Sequence, residues 1–285
     1  MLKMMTERGA AIIASFFVII TGAMAQTGQS SPWQLGMQKS ASPSMDDLVW
    51  FHDLLLWIIT IITLFVLGLL IWVCYRYSAK KNPVASKTTH HVGIEIAWTV
   101  IPVLILVMIS IPSFRILFTQ QDVSKPDITI KAIGKQWFWS YEYTDHGGFG
   151  FDQLMLDEKD RAKAIAAGGK AEENPRLLAV DNEVVLPIGK KIKVNMTASD
   201  VIHAWFIPAF AVNQDAVPGR MNSVWFRADK EGVFFGQCSQ LCGKDHAFMP
   251  IKVRIVSQAK FEEWLVMAKK KYASTPDTQT FAEAK

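Results

Sequence analysis

Charge is absent from two long stretches of this 285-residue chain: no Asp, Glu, Lys or Arg lies between Asp53 and Arg76, or between Glu95 and Arg115. Apolar runs of that length argue against a chain that is soluble throughout, because each can cross a hydrocarbon layer of about 30 Å. Acid is absent from the segment that joins them. Arg76, Lys80, Lys81 and Lys87 stand there without an Asp or Glu, which makes the loop cytoplasmic by the positive-inside bias. A strong overall charge is missing as well. The net charge is +4, and acids and bases nearly balance from Gln120 onward, so the chain lacks the basic footprint of a nucleic-acid binder. Cysteine is scarce, with three in the chain. Cys74 ends the first apolar run and reads as an ordinary buried thiol, which leaves Cys238 and Cys242.

The apolar residues that are present crowd into three segments. The first has Lys3 and Arg8 ahead of a short core from Ala10 to Ile20, then Ala23-Met24-Ala25 before Gln26. This is the form of a cleaved export signal over residues 1–25, too short to span a bilayer. The second, Leu54 to Tyr75, has Trp50, Trp57, Trp72, Tyr75 and Tyr77 towards its ends, where interfacial anchors belong. The third, Ile96 to Phe114, contains Pro102 and Pro112, which membrane helices tolerate. Residues 26–119 are therefore expected to form a transmembrane hairpin, with helices at about 50–75 and 94–116. Both ends of the mature chain then face outward: in a bacterium the anchor lies in the inner membrane and the C-terminal domain in the periplasm.

From residue 120 to 257 the pattern turns to short alternating runs, such as Asp127 to Ile133, Lys190 to Met196 and Ile251 to Val256. Turn signals at Pro187-Ile188-Gly189 and Pro218-Gly219 separate them, which predicts a β-sandwich or barrel. A charged, Ala- and Gly-rich segment from Leu156 to Arg176 lacks alternation and reads as a part-helical insertion, within about 145–176. In residues 258–285, Phe261, Trp264, Leu265 and Ala268 fall on one helix face before a polar tail.

Residues 234–250 read FFGQCSQLCGKDHAFMP, which sets Cys238, Cys242, His246 and Met249 within twelve positions. On the oxidising side of a membrane two such cysteines alone favour a disulfide, but that leaves His246 and Met249 without a role. A closed zinc site has no use for a thioether. Thiolate, imidazole and a weak methionine are a copper preference, completed by a second His on another strand, for which His203 is the candidate. Two thiolates can bridge two copper ions, and spreading one electron over the pair favours electron transfer over bond chemistry.

Together with the His203-Ala204-Trp205 run, the aromatic stretch Gln136-Trp137-Phe138-Trp139-Ser140-Tyr141-Glu142-Tyr143 and the two-helix hairpin, this motif resembles cytochrome c oxidase subunit II over essentially the whole mature chain. The resemblance implies a transmembrane α-helical hairpin plus an all-β, cupredoxin-like Greek-key barrel that holds a binuclear CuA centre. It implies copper bound by His203, Cys238, Cys242, His246, Met249 and the Gln240 backbone carbonyl, with no heme on this chain. The usual pattern has Glu where Gln240 stands. A magnesium ion at the boundary with subunit I would lose a carboxylate there, because an amide oxygen is a poorer ligand for a hard cation.

The resemblance further implies that Trp137 takes in the electron from cytochrome c. Strand alternation alone leaves open whether Trp137 is core or surface. Docking of a basic cytochrome falls to Glu142, Asp200 and Asp215, each of which also reads as a solvated surface acid. Glu95 is either a charge at the lipid interface or the mouth of a proton pathway. The partners implied are the heme-bearing subunit I, subunit III, cytochrome c and membrane lipid. The protein so read is the electron-input subunit of a proton-pumping oxidase. A quinol oxidase subunit would lack the copper ligands, a nitrous oxide reductase would need a further large domain, and a tethered copper carrier would need only one anchor.

Overall fold

The computed structural model describes residues 26–272. The expected export signal and the polar tail from Ala273 lie outside the described residues. Two long helices lie ahead of the main sheets. Helix α1 spans Pro43–Arg76 and α2 spans Val92–Gln121. Both run past the expected limits, since 34 residues rise roughly 51 Å and the hydrocarbon layer needs only part of that. Local chemistry sets their starts. Ser42 accepts from the Met45 N–H at 3.1 Å and Pro43 opens α1. His91 accepts from the Ile94 N–H at 3.3 Å while Glu95 accepts from the His91 N–H at 3.1 Å, a reciprocal cap at the cytoplasmic end of α2. Pro102 and Pro112 lie inside α2.

The remainder is a sandwich of two sheets. One has β4 (Phe149–Gln153), β3 (Phe138–Tyr143), β2 (Ile128–Lys135), β6 (Lys191–Ala198) and β9 (Asn222–Arg227) in that order. The other has β5 (Val184–Pro187), β11 (Pro250–Val256), β10 (Gly232–Cys238), β7 (His203–Ile207) and β8 (Val212–Ala216). The short β1 (Gln26–Gly28) joins β10 in parallel. Strands β2 and β6 pair in parallel and both alternate buried with half-buried residues, so one face of each fills the core. That core is aromatic: Trp139, Tyr141, Tyr143, Trp205, Phe210, Phe226 and Phe234 are essentially fully buried. Their polar atoms are mostly paired, as where the Tyr143 hydroxyl donates to the Val185 carbonyl at 2.9 Å.

Within the segment expected as an insertion, Phe149–Gln153 is instead the edge strand β4, paired antiparallel with β3. The irregular part follows it and contains α3 (Glu158–Ala166). Arg254 on β11 holds this part down, reaching Glu173 at 2.7 Å and Glu183 at 2.6 Å. Helix α4 (Gln258–Tyr272) buries Phe261 and Ala268 and lays Trp264 against Tyr143, with ring centroids 5.1 Å apart.

Anchor and sandwich meet at a hydrogen-bonded junction. The Trp225 indole donates to the Thr119 carbonyl at 3.0 Å, and Lys191 Nζ donates to the carbonyls of Asp122 at 2.8 Å and Ser124 at 2.7 Å. Helix α2 has no basic residue in its last turn, so the sandwich supplies the cation that its C-terminus favours.

Candidate metal centre

Three elements bring the ligand candidates together at one end of the sandwich. His203 opens β7 and Cys238 ends β10, and the two strands are paired, with Cys238 opposite Trp205. The loop after β10 carries Cys242, a short 3-10 turn holds His246, and Met249 immediately precedes β11. The Cys238 and Cys242 sulfurs stand 3.9 Å apart, well beyond a disulfide bond length of about 2.05 Å. Around them lie His203 Nδ1, 3.9 Å from Cys238 Sγ, and His246 Nδ1, 3.5 Å from Cys242 Sγ. Met249 Sδ is 3.5 Å from Cys242 Sγ, and the Gln240 carbonyl is 3.2 Å from Cys238 Sγ. The ligand atoms of His203, Cys238 and Cys242 all lie within 4.8 Å of one another.

Most of the site is buried and oriented, with His246 half-buried at its edge. His203, Cys238, Cys242 and Met249 are 0, 6, 4 and 1% exposed. Gly134 on β2 makes room for His203, since a Cβ there would stand 2.7 Å from its ring. Asp200 fixes the ring by meeting His203 Nε2 at 2.8 Å, which leaves Nδ1 to face the sulfurs. The Asp200 carboxylate also accepts from the N–H groups of Val201 at 2.6 Å and Gln136 at 2.7 Å. Burial works against its charge, but these donors hold Asp200 below the usual carboxylate range.

Burial likewise opposes a charged His203, yet Cys238 and Asp200 outweigh it and raise the imidazole above its ordinary value. Burial opposes a Cys238 thiolate too. Hydrogen bonds from His203 and from the backbone at Ala204 and Gln240 overcome it and lower this thiol. Cys242 goes the other way: burial, and then the neighbouring Cys238, push it up to about 12. The two neighbouring thiols thus shift in opposite directions, and positive charge placed between them would favour the thiolate form of both. Two sulfurs, two imidazoles and a buried thioether fit copper, whereas zinc would leave Met249 unused.

Trp137 lies in the two-residue turn between β2 and β3 rather than in a strand, so alternation does not govern it. It is half-buried, and its indole donates to the Cys242 carbonyl at 3.2 Å. Lys244 sits over its ring, 5.6 Å from the centroid. Of the three acids expected to dock a cytochrome, Asp200 is hydrogen-bonded to His203. Asp215 is exposed on β8 opposite Ala204, close to the centre. Glu142 pairs with Lys131 at 3.7 Å and lies roughly 17 Å along the chain from Trp137. Glu95 caps α2 at the other side of the membrane from the sulfurs. The Gln240 side chain is exposed.

Gln136, Gly134 and Gly243 belong to the site without having been singled out in the sequence. Asp200, expected as a docking acid, also orients His203, and its spacing three residues before a candidate ligand His is the sign of that role in the sequence.

Two family models match the chain: "Cytochrome C oxidase subunit II, transmembrane domain" over residues 30–116, and "Cytochrome C oxidase subunit II, periplasmic domain" over residues 128–256. The chain is 42% identical over 271 residues to a Rickettsia bellii protein named "Probable cytochrome c oxidase subunit 2", covering 95% of this chain and 97% of that protein. It is 41% identical over 281 residues to the cytochrome c oxidase subunit 2 of Cereibacter sphaeroides, covering 93% and 92%. Among solved structures, the periplasmic domain of cytochrome oxidase subunit II of Bradyrhizobium japonicum is 53% identical. That match covers 53% of this chain and 99% of that one, with a TM-score of 0.47.

Proposed function

The chain belongs to the cytochrome c oxidase subunit II family, and from that premise we propose that it is the electron-input subunit of a heme-copper oxidase, set in the membrane by α1 and α2 with its sandwich in the periplasm. Reduction of oxygen and proton pumping belong to its partner, subunit I, and subunit III completes the assembly. When bound, a pair of copper ions supplies a one-electron relay between a reduced c-type cytochrome and the heme of subunit I.

This chain's residues prepare that relay. Cys238 and Cys242 would hold the metals, with His203 and His246 presenting Nδ1 and Met249 and the Gln240 carbonyl as weak donors. Asp200 holds the His203 tautomer. Trp137 gives the solvent side an indole bonded directly to the backbone of Cys242. Asp215 is the exposed acid best placed to meet a basic cytochrome, where charge mainly raises the association rate. The neutral Gln240 amide is a poorer magnesium ligand than a carboxylate, so a magnesium ion at the boundary with subunit I is held weakly here or mainly by the partner.

The convergence of two thiols, two imidazoles and a thioether around a dry 3.9 Å sulfur pair carries this reading. A copper carrier would need a more open, exchangeable set. The test uses the assembled oxidase carrying Trp137→Phe, mixed with reduced cytochrome c. Oxidation of the cytochrome should slow at least tenfold while copper content stays the same. An unchanged rate would remove Trp137 from the route.

A further inference from the structure

Gln136 touches both halves of the ligand set. Its backbone N–H donates to Asp200 at 2.7 Å, on the carboxylate that also meets His203 Nε2 at 2.8 Å. Its side-chain Nε2 donates to the Cys242 carbonyl at 2.8 Å, the same oxygen that receives the Trp137 indole at 3.2 Å. One residue in the β2–β3 turn therefore ties the β7 ligand to the loop that carries Cys242 and His246.

The packing is built for this contact. Gly243 follows Cys242 with φ +126°, and a Cβ there would lie 2.9 Å from Trp137 Cζ2 and 3.2 Å from Gln136 Nε2. A side chain at 243 would push both donors off the carbonyl. The loop has a few other ties: Ser239 N–H meets the Ala204 carbonyl at 3.2 Å, its hydroxyl donates to Asn213 Oδ1 at 2.8 Å, and His246 N–H meets the Gly243 carbonyl at 3.3 Å.

We propose that Gln136 is a positioning residue that bridges His203, through Asp200, to Cys242, and so holds the two ligand-bearing segments in register before metal arrives. The inference rests on the copper reading for its purpose but not for its geometry. Gln136 keeps the Cys242 loop closed in the metal-free chain, so that binding copper orders little that is not already ordered. Trp137 shares the same acceptor, so losing both donors removes the two side-chain hydrogen bonds that the Cys242 carbonyl receives.

The test compares the full-length chain in detergent with Gln136→Met, which keeps length without a donor, and Gln136→Glu, which turns a carboxylate oxygen towards the carbonyl. In metal-free protein, backbone hydrogen exchange across 239–246 should rise in both variants while the core strands and the thermal midpoint hold. In copper-loaded protein, release of copper to a chelator should quicken roughly fivefold to tenfold, the equivalent of one net hydrogen bond, and the EPR hyperfine pattern should shift. Trp137→Phe combined with Gln136→Met should cost more than the two separate losses together. Loop exchange equal to wild type in both Gln136 variants would overturn the bridge, whatever the metal content. A wild type that binds no copper pair, with the loop effect still present in the variants, would leave the bridge standing and sink the copper reading instead.

Discussion

The hairpin and the sandwich use the same apolar residues in opposite ways. Leu64, Phe65 and Ile71 on α1 are more than half exposed, whereas Ile130, Trp205 and Phe226 in the sandwich are completely covered. The hydrophobic effect operates in both, but the hairpin's apolar surface is left for the membrane to cover and the sandwich covers its own. Polar groups follow the same division. In the spans Thr60, Thr63 and Ser110 donate back to the carbonyls of Leu56, Ile59 and Leu106 on their own helices. In the sandwich the Trp205 indole crosses the core to the Tyr141 hydroxyl at 3.0 Å. Stability of the anchor is thus local to each helix, and stability of the sandwich depends on contacts distant in sequence.

The sharpest way to break that comparison is to truncate one phenylalanine in each region. Phe226→Ala should cost about 3–5 kcal/mol of sandwich stability, since its ring stacks on Phe210 at 4.6 Å and leaves a cavity. Phe65→Ala should change thermal stability in detergent by well under 1 kcal/mol, because lipid-like solvent fills the space. Equal losses, measured by the denaturation of each variant, would refute the division.

A smaller effect is expected where the regions meet. Lys191→Met and Trp225→Phe each remove donors from the carbonyls that end α2 and begin the linker. Each should cost about 1 kcal/mol locally and speed proteolysis across 122–127, with copper content unchanged. Cleavage as slow as in wild type would show that the junction does not join the regions.

The smallest effect concerns the insertion. Burial opposes the Glu173 charge, but Arg254 and Lys170 overcome it and hold the carboxyl below its ordinary 4.5. A depressed carboxylate contributes stability above its unfolded value and loses it as pH falls through the folded one. Hydrogen exchange in 154–176 should therefore rise below about pH 4.5 before the sandwich itself opens. Exchange independent of pH across that range would contradict the tie to Arg254.

The comparison also explains what the sequence discloses. The spans are legible because absence of charge is a property of contiguous residues. Strands β2 and β6 are legible for the same reason, through their alternation, but their parallel pairing is set by contacts more than sixty residues apart. The candidate metal loop is legible because Cys238, Cys242, His246 and Met249 fall within twelve positions, and His203 because a second His has to come from another strand. The place of Trp137 could not be read, since it sits in a turn where period-two alternation stops. Gln136 could not either: its acceptor is a backbone carbonyl 106 residues away, and a carbonyl carries no residue signature.

The central claim is that the two sulfurs hold a pair of coppers which share one electron. It is tested most directly by purifying the full-length chain, loading it with copper, and measuring copper per chain together with the EPR spectrum. The account predicts two coppers per chain and the hyperfine pattern of one unpaired electron delocalised over two copper nuclei. One copper with a single-nucleus pattern, or no copper with Cys238 and Cys242 joined as a disulfide, would contradict it.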